Sequence, residues 1–203
     1  MTFSSCGGGS ANVKKERLAR TGMDTQETVV ILLARFTDGN ERNDLLEREQ
    51  EIRDCMKQAM LSSTGRVIQT IPGIDFRRTL FPRMKPENAP RSTEALLDLL
   101  QDDKERNRIL DMSIRYIVIV DVQTDSSQGT GKSLWGSTKT SRFHATVLDA
   151  KNRIKSGEVY SDSSGTVGSS LPMLSRTERD ACSGLGKAVG EFVASDEEPG
   201  KAQ

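Results

Sequence analysis

The sequence predicts a single α/β (α+β) domain in which helices pack on a mixed sheet of about five strands. Three observations predict it: apolar runs as long as buried strands, amphipathic segments of helical spacing between them, and a late hairpin pattern without a helix. The predicted order is β-α-β-α-β-β-β-α. The early helical crossovers imply parallel pairing, and the late hairpin implies antiparallel pairing.

The first half of the chain supplies two strands and two helical regions. The continuous apolar run TVVILLARF, at 28–36, predicts a central strand buried on both faces. Residues 41–61 carry apolar side chains at helical spacing and predict an amphipathic helix. Ser92-Thr93-Glu94 resembles a helix start before a leucine-rich stretch. The remaining predictions here are a strand at 66–71, an extended piece at 74–82 and a short helix at 105–112.

The second half supplies three strands and a closing helix. IRYIVIVDV, at 114–122, predicts a buried strand, and FHATVLD, at 143–149, predicts the next one. A turn at Asp149-Ala150-Lys151-Asn152 returns the chain in a strand at 154–160. Residues 177–193 place Ala, Cys, Leu, Val and Phe at helical spacing and predict the last helix.

Composition sets the domain boundaries and excludes some partners. Residues 1–26 and 195–203 are built from Gly, Ser and charged residues, so we predict a flexible tether, a domain at 27–194 and a disordered tail. Lys+Arg and Asp+Glu both number 29, so no net charge steers the chain onto nucleic acid. No window of the sequence has the 18 apolar residues of a membrane-spanning helix.

A glycine-rich segment after the strand at 114–122 resembles a phosphate-binding loop. It reads TDSSQGTGKS, with Lys132 and Ser133 in the expected places. However, Ser126 occupies the first glycine position, and a strand pattern follows where a phosphate-binding loop needs a helix N-terminus. We therefore predict no cofactor, and a cytosolic nucleotide-binding protein or enzyme using this loop is the alternative function.

The sequence predicts neither catalytic nor metal-ligating residues. His144 is the only histidine and lies in a strand, which favours a solvent-facing or hydrogen-bonded structural role. Cys6, Cys55 and Cys182 are widely separated and form no C-x-x-C motif, so a zinc site is not expected.

The segment 124–142 is predicted to be a long hairpin connection, and loops of that length are usually disordered or functional. It contains the only tryptophan, Trp135, with basic residues nearby. An aromatic residue among cations is typical of binding epitopes, although Trp135 folded back onto its own domain is an equal alternative. The candidates for partner contact are Lys132, Trp135, Lys139 and Arg142.

The pattern of elements resembles a group of bacterial envelope domains. Its signals are TVVILLARF as the opening strand, a helix ending before GRVIQ, ILDMSIRYIVIVDV as a helix leading into a strand, and the hairpin ATVLDAKNRIKSGEV. These are similar to the curli secretion-channel lipoprotein and to the N-terminal, anticodon-binding-like α/β domain of the Tol-system propeller protein. The resemblance implies the periplasm and a role in partner docking, assembly or secretion rather than one shared reaction.

The resemblance implies a role for each of the three cysteines. Phe3-Ser4-Ser5-Cys6-Gly7 resembles the end of a bacterial lipoprotein signal, which makes Cys6 a candidate for lipidation and outer-membrane anchoring. Cys55 and Cys182 then remain as a pair on the apolar faces of the first and last helices, where a disulfide is reasonable if the protein is exported. Two buried thiols in a cytosolic protein are the alternative.

The sequence thus favours a non-enzymatic cell-envelope lipoprotein. It would reach the membrane only through its lipid anchor and would contact an unidentified envelope protein. Self-association into a homo-oligomer stays open.

Overall fold

A computed structural model of the chain describes residues 11–38, 40–41, 45–127, 138–166 and 174–195. The strands are β1 Asn12–Arg17, β2 Thr28–Asp38, β3 Asn40–Glu41, β4 Gln69–Ile71, β5 Ile114–Ser127, β6 Thr138–Asp149 and β7 Ile154–Thr166. The helices are α1 Leu45–Thr64, α2 Gly73–Leu80, α3 Thr93–Gln101, α4 Asp103–Asp111 and α5 Arg176–Ala194, with a short 3₁₀ helix at Pro86–Asn88.

All of these strands join one mixed sheet in the order β1-β7-β6-β5-β2-β3, and β4 also pairs with β2. Strand β2 is parallel to β5 and to β4, because α1 to α4 provide the crossovers between them. Strands β5, β6 and β7 form an antiparallel meander, and β1 is antiparallel to β7. The predicted mixed α/β fold is confirmed, with two more strands than expected from the long apolar runs.

Side chains alternate across the sheet and create two apolar layers. Val29, Ile31 and Leu33 of β2 point towards α1 and α5, whereas Val30 and Leu32 point towards α2, α3 and α4. Strand β2 is therefore buried on both faces, as its continuous apolar run predicts.

Two segments differ from the prediction. Residues 12–17, expected in the flexible tether, form β1 on the free edge of β7. Their side chains are mostly exposed, so the strand depends on backbone pairing with β7 and leaves no apolar pattern in the sequence. Residues 74–80, expected to be extended, belong to α2, where Phe76 and Leu80 lie one turn apart and are buried.

A buried ion pair closes a gap at the edge of β2 between β4 and β3. Both guanidinium nitrogens of Arg77 in α2 bind the carboxylate of Glu49 in α1, at 2.6 Å each. Glu49 also accepts the backbone N–H of Leu33 at 2.7 Å, next to the bulge where β2 shifts register against β5. The pair therefore satisfies an edge N–H and joins helices from opposite faces of the sheet.

Candidate partner-contact surface

Helices α1 and α5 lie side by side on one face of the sheet and approach closely at two glycines. A Cβ on Gly186 would lie 2.8 Å from the Cα of Met56, and one on Gly190 would lie 3.0 Å from the Cα of Met60. Both contacts advance along the two helices in the same direction, so the helices are parallel. Glycine is required at Gly186 because any side chain there would push the backbones apart.

A disulfide between Cys55 and Cys182 continues this line of contact. Cys182 precedes Gly186 by one helical turn, and the two cysteine Cα atoms are 6.4 Å apart. The bond joins the first long helix to the last one across 127 positions of sequence. The two cysteines predicted as a pair are thus bonded in the structure, while Cys6 lies outside the described residues.

Strands extend into both ends of the segment predicted as a long loop. Strand β5 continues to Ser127 and β6 begins at Thr138, so only 128–137 separate them. Two of the four predicted contact residues, Lys132 and Trp135, lie outside the described residues. The chain resumes as a strand antiparallel to β5, so β6 rather than a helix follows the glycine-rich segment in the described part of the chain.

The other two predicted contact residues lie on opposite faces of the sheet. Lys139 is mostly buried and pairs with Glu178 of α5 at 3.2 Å. Arg142 is exposed on the other face and pairs with Asp125 of β5 at 2.8 Å. Arg142 is therefore exposed to solvent on that face, whereas Lys139 contacts α5 through Glu178.

The described helices cover only part of the face that carries Arg142. Helices α2, α3 and α4 pack over β2 and the first half of β5, where Ile114, Ile117 and Ile119 are buried. Beyond them, the strands present exposed or half-buried polar side chains, which we call the open face. Its members are Lys14, Arg35, Asp121, Gln123, Asp125, Arg142, His144, Glu158, Tyr160 and Asp162.

The strand register aligns the centre of the open face in one row. Asp121 lies opposite His144, and His144 lies opposite Tyr160. The row continues to Arg35 on β2 and to Lys14 on β1. The rings of His144 and Tyr160 stack with centroids 4.4 Å apart and planes 7° from parallel. Acidic, basic and aromatic groups therefore alternate across the sheet.

Glu158 connects this row to its neighbours. Its carboxylate accepts hydrogen bonds from the Tyr160 hydroxyl and the Lys155 ammonium, and it lies 3.5 Å from Nε2 of His144. The hydrogen bond to Glu158 raises the pKa of Tyr160 to about 12. Burial raises the pKa of Asp121, with the charges of Arg35 and His144 opposing it. His144 is thus half-buried and stacked on Tyr160, beside the carboxylate of Glu158.

Sequence reasoning missed most of the open face. Asp121, Gln123 and Asp125 alternate at the end of β5, and Glu158, Tyr160 and Asp162 alternate along β7. This period of two is the signal of a strand with one polar face. The period shows which side chains of one strand share a face. It does not show which residues of neighbouring strands lie opposite each other, because that depends on the strand register.

The side chains of the described residues contain no cluster of three or more metal-ligating residues. None of the described helices has the length and apolar character needed to cross a membrane.

Comparisons with known proteins give weak similarities. No family model matches the chain, and no curated protein matches it. Among solved structures, the PelC dodecamer from Paraburkholderia phytofirmans has a TM-score of 0.48 and 8% identity, over 91% of this chain and 99% of that one. A hypothetical protein from Chlamydia trachomatis has a TM-score of 0.45 and 12% identity, over 82% and 98%.

A lipoprotein from Neisseria meningitidis has a TM-score of 0.43 and 13% identity, over 72% of this chain and 88% of that one. These values assign neither a family nor an activity. None of the three structures is described as a curli or Tol component, so that resemblance stays a prediction from the sequence.

Proposed function

We propose that this protein is a non-enzymatic component of a bacterial cell envelope that docks another envelope protein. The observation that carries the proposal is the disulfide between Cys55 and Cys182. Disulfides persist in oxidising compartments such as the periplasm and are rare in the cytosol. The bond therefore supports a periplasmic location, independently of the pattern around Cys6.

A lipid on Cys6 would hold the domain close to the outer membrane. Strand β1 begins at Asn12, which shortens the proposed tether from 7–26 to 7–11. Five residues lie between Cys6 and Asn12, and the six Cα–Cα steps from one to the other span at most about 20 Å in an extended chain. The edge strand β1 would therefore lie near the membrane surface, and its neighbour β7 would follow.

The open face supports docking rather than catalysis. Tyr160 keeps its proton at neutral pH because its pKa is about 12, and Glu158 is already held by Lys155 and Tyr160. Groups in this state suit hydrogen bonding and charge pairing better than proton transfer. A partner with a polar, mixed-charge surface would complement the row of Arg35, Asp121 and His144. Lys132 and Trp135 remain proposed contacts from the sequence.

The accessibility of the cysteine thiols to alkylation in cells tests the proposed periplasmic location. Alkylation of the protein in intact cells, followed by denaturation and mass analysis, should find Cys55 and Cys182 protected until a reductant is added. Cys6→Ser should also move the protein from the membrane fraction to the soluble periplasm. Free Cys55 and Cys182 in cells, together with an unchanged distribution of Cys6→Ser, would contradict the proposal.

The docking surface is tested by site-specific crosslinking. A photoreactive amino acid in place of Arg142 or His144 should give a crosslinked adduct of defined mass in the envelope fraction. The same probe at the exposed Asp98 of α3, which lies over the covered part of this side of the sheet, serves as the control. Adducts of equal yield at Asp98 would show that the open face is not the docking surface.

A further inference from the structure

The outer surface of the α1–α5 pair contains a groove with a volume of about 560 Å³. Its floor is made of small or apolar side chains, Cys55, Ala59 and Leu174. On the α1 side it is lined by Glu51, Asp54, Gln58 and Ser62, and on the α5 side by Arg179, Ser183 and Lys187. We call this the α1–α5 groove. One flank is acidic and the other is basic.

The charges of the basic flank are not used within the described part of the chain. Glu51 and Asp54 pair with arginines of their own helix, at 2.8 and 2.9 Å, and both pairs are partly exposed. Arg179 and Lys187 are exposed and form no ion pair with any described residue. A partner carrying carboxylates would satisfy them.

The geometry points to a second copy of this chain as the occupant of the α1–α5 groove. A two-fold axis running along the groove places the acidic flank of each copy against the basic flank of the other. Since this axis runs along the helices, it preserves the height of every residue along them. Self-complementary charge on the two flanks is what such an isologous contact needs.

The contacts between α1 and α5 within one chain determine which residues of the two copies would face each other. The disulfide places Cys55 level with Cys182, so Glu51 and Asp54 lie at the height of Arg179. In the two-fold arrangement, the carboxylates of one copy therefore face Arg179 of the second copy. Lys187, two turns further along α5, faces Gln58 and Ser62. The small floor residues allow the helices of the two copies to approach closely.

Charge reversal with mixing tests this arrangement on the full, oxidised chain. The acid variant Glu51→Lys/Asp54→Lys should place like charges at both contacts of a homodimer, and Arg179→Glu/Lys187→Glu should do the same with opposite sign. Each is expected to raise the dimer dissociation constant by at least about tenfold. Mixing the two variants restores opposite charges at both contacts, so a heterodimer of near wild-type affinity should form.

Mass measurement by light scattering or sedimentation over a concentration series reads the result. The matched control, Glu94→Lys/Asp98→Lys on α3, changes the net charge as the acid variant does and should leave the dimer intact. A monomeric wild-type chain at every concentration would overturn the inference. So would a dimer that survives both reversals, or two reversed variants that stay monomeric when mixed.

Folding of each variant is verified by its thermal transition. If a reversed variant has lost its native transition, Glu51→Gln/Asp54→Asn replaces it, because neutral isosteres avoid repulsion across the groove within one chain. Weakened association of this neutral variant is the expected result, and association equal to wild type overturns the inference.

Discussion

Helices cover the two faces of the sheet to different extents. On one face, α1 and α5 cover the strands with a continuous apolar layer, closed by backbone contact at glycines and by a disulfide. On the other face, α2, α3 and α4 cover β2 and the first half of β5, and the remaining strands are polar. Only 34% of the residues are hydrophobic. This composition agrees with one complete apolar layer on the α1–α5 face and a partial one on the opposite face.

Polar groups also behave differently on the two faces. Under α5, Ser141 and Thr177 share a buried hydrogen bond, and Thr124 lies against Glu178. These groups are sequestered from water and hold the helix in place. On the open face, pairs such as Arg142 and Asp125 are half exposed, so a partner can exchange with them at small cost. The buried polar groups under α5 therefore contribute to helix packing, whereas the polar pairs of the open face stay accessible to solvent.

The largest expected effect comes from the ion pair that connects the two faces. Arg77→Met leaves the carboxylate of Glu49 buried, with the Leu33 N–H as its remaining hydrogen-bond donor among the described residues, and breaking such a pair costs about 3–5 kcal/mol. Urea unfolding should report this loss. The neighbouring exposed Arg78→Met is the matched control. Equal unfolding free energies for the two variants would show that the buried pair does not hold the faces together.

The next effect concerns the covered face alone. Cys55→Ala/Cys182→Ala should lower the free energy of unfolding by about 2–4 kcal/mol, because the cross-link no longer restricts the unfolded chain. A reductant should destabilise the wild-type protein by a similar amount and leave the double variant unchanged. Equal sensitivity of both proteins to the reductant would show that the disulfide between Cys55 and Cys182 is not the source of the stabilisation.

Several of these features were predictable because they depend on local pattern. The apolar run at 28–36 required burial on both faces, and the helical spacing around Cys55 and Cys182 placed both thiols on inward-facing stripes. The turn residues at 149–152 predicted the β6–β7 hairpin. In each case, residues adjacent in sequence carry the information.

Other features depend on partners that are distant in sequence. Strand β1 forms because β7 offers a free edge, and nothing in NVKKER requires it. Glu49 occupies an inward position of α1, four residues after Leu45 and three before Ile52, and that spacing was the available signal of a buried acid. Its partner Arg77 lies in a segment predicted to be extended, so the pair was not found. The open face depends on the register of five strands, which the sequence pattern of each strand does not give.

A smaller loss of stability is expected at the helix contact. Gly186→Ala places a Cβ within 2.8 Å of Met56 and Ala59, so α1 and α5 must move apart. Overpacking of this kind costs about 1–3 kcal/mol, partly offset by the higher helix propensity of alanine. Ser183→Ala, one turn earlier and facing the α1–α5 groove, is the control and should be close to neutral. A more stable Gly186→Ala protein would contradict the close contact.

The smallest effect belongs to the open face and appears as a pH dependence. Below a pH of about 10, Tyr160 keeps its proton in both the folded and the unfolded chain. Its pKa of about 12 in the folded state means that the unfolded chain releases the proton first, so the contribution to stability is lost as the pH rises from about 10 towards 12. Tyr160→Phe should lose less stability than wild type across this interval.

The origin of the shift is tested by removing its cause. Only two tyrosines are present, so in a Tyr116→Phe background an ultraviolet titration of tyrosinate reports Tyr160 alone. Glu158→Gln removes the charge that favours the protonated hydroxyl, and the pKa of Tyr160 should fall towards 10. Asp162→Asn, two residues further along the same face of β7, is the control. If Glu158→Gln leaves the pKa of Tyr160 unchanged, the Tyr160 hydroxyl and the Glu158 carboxylate are not hydrogen-bond partners.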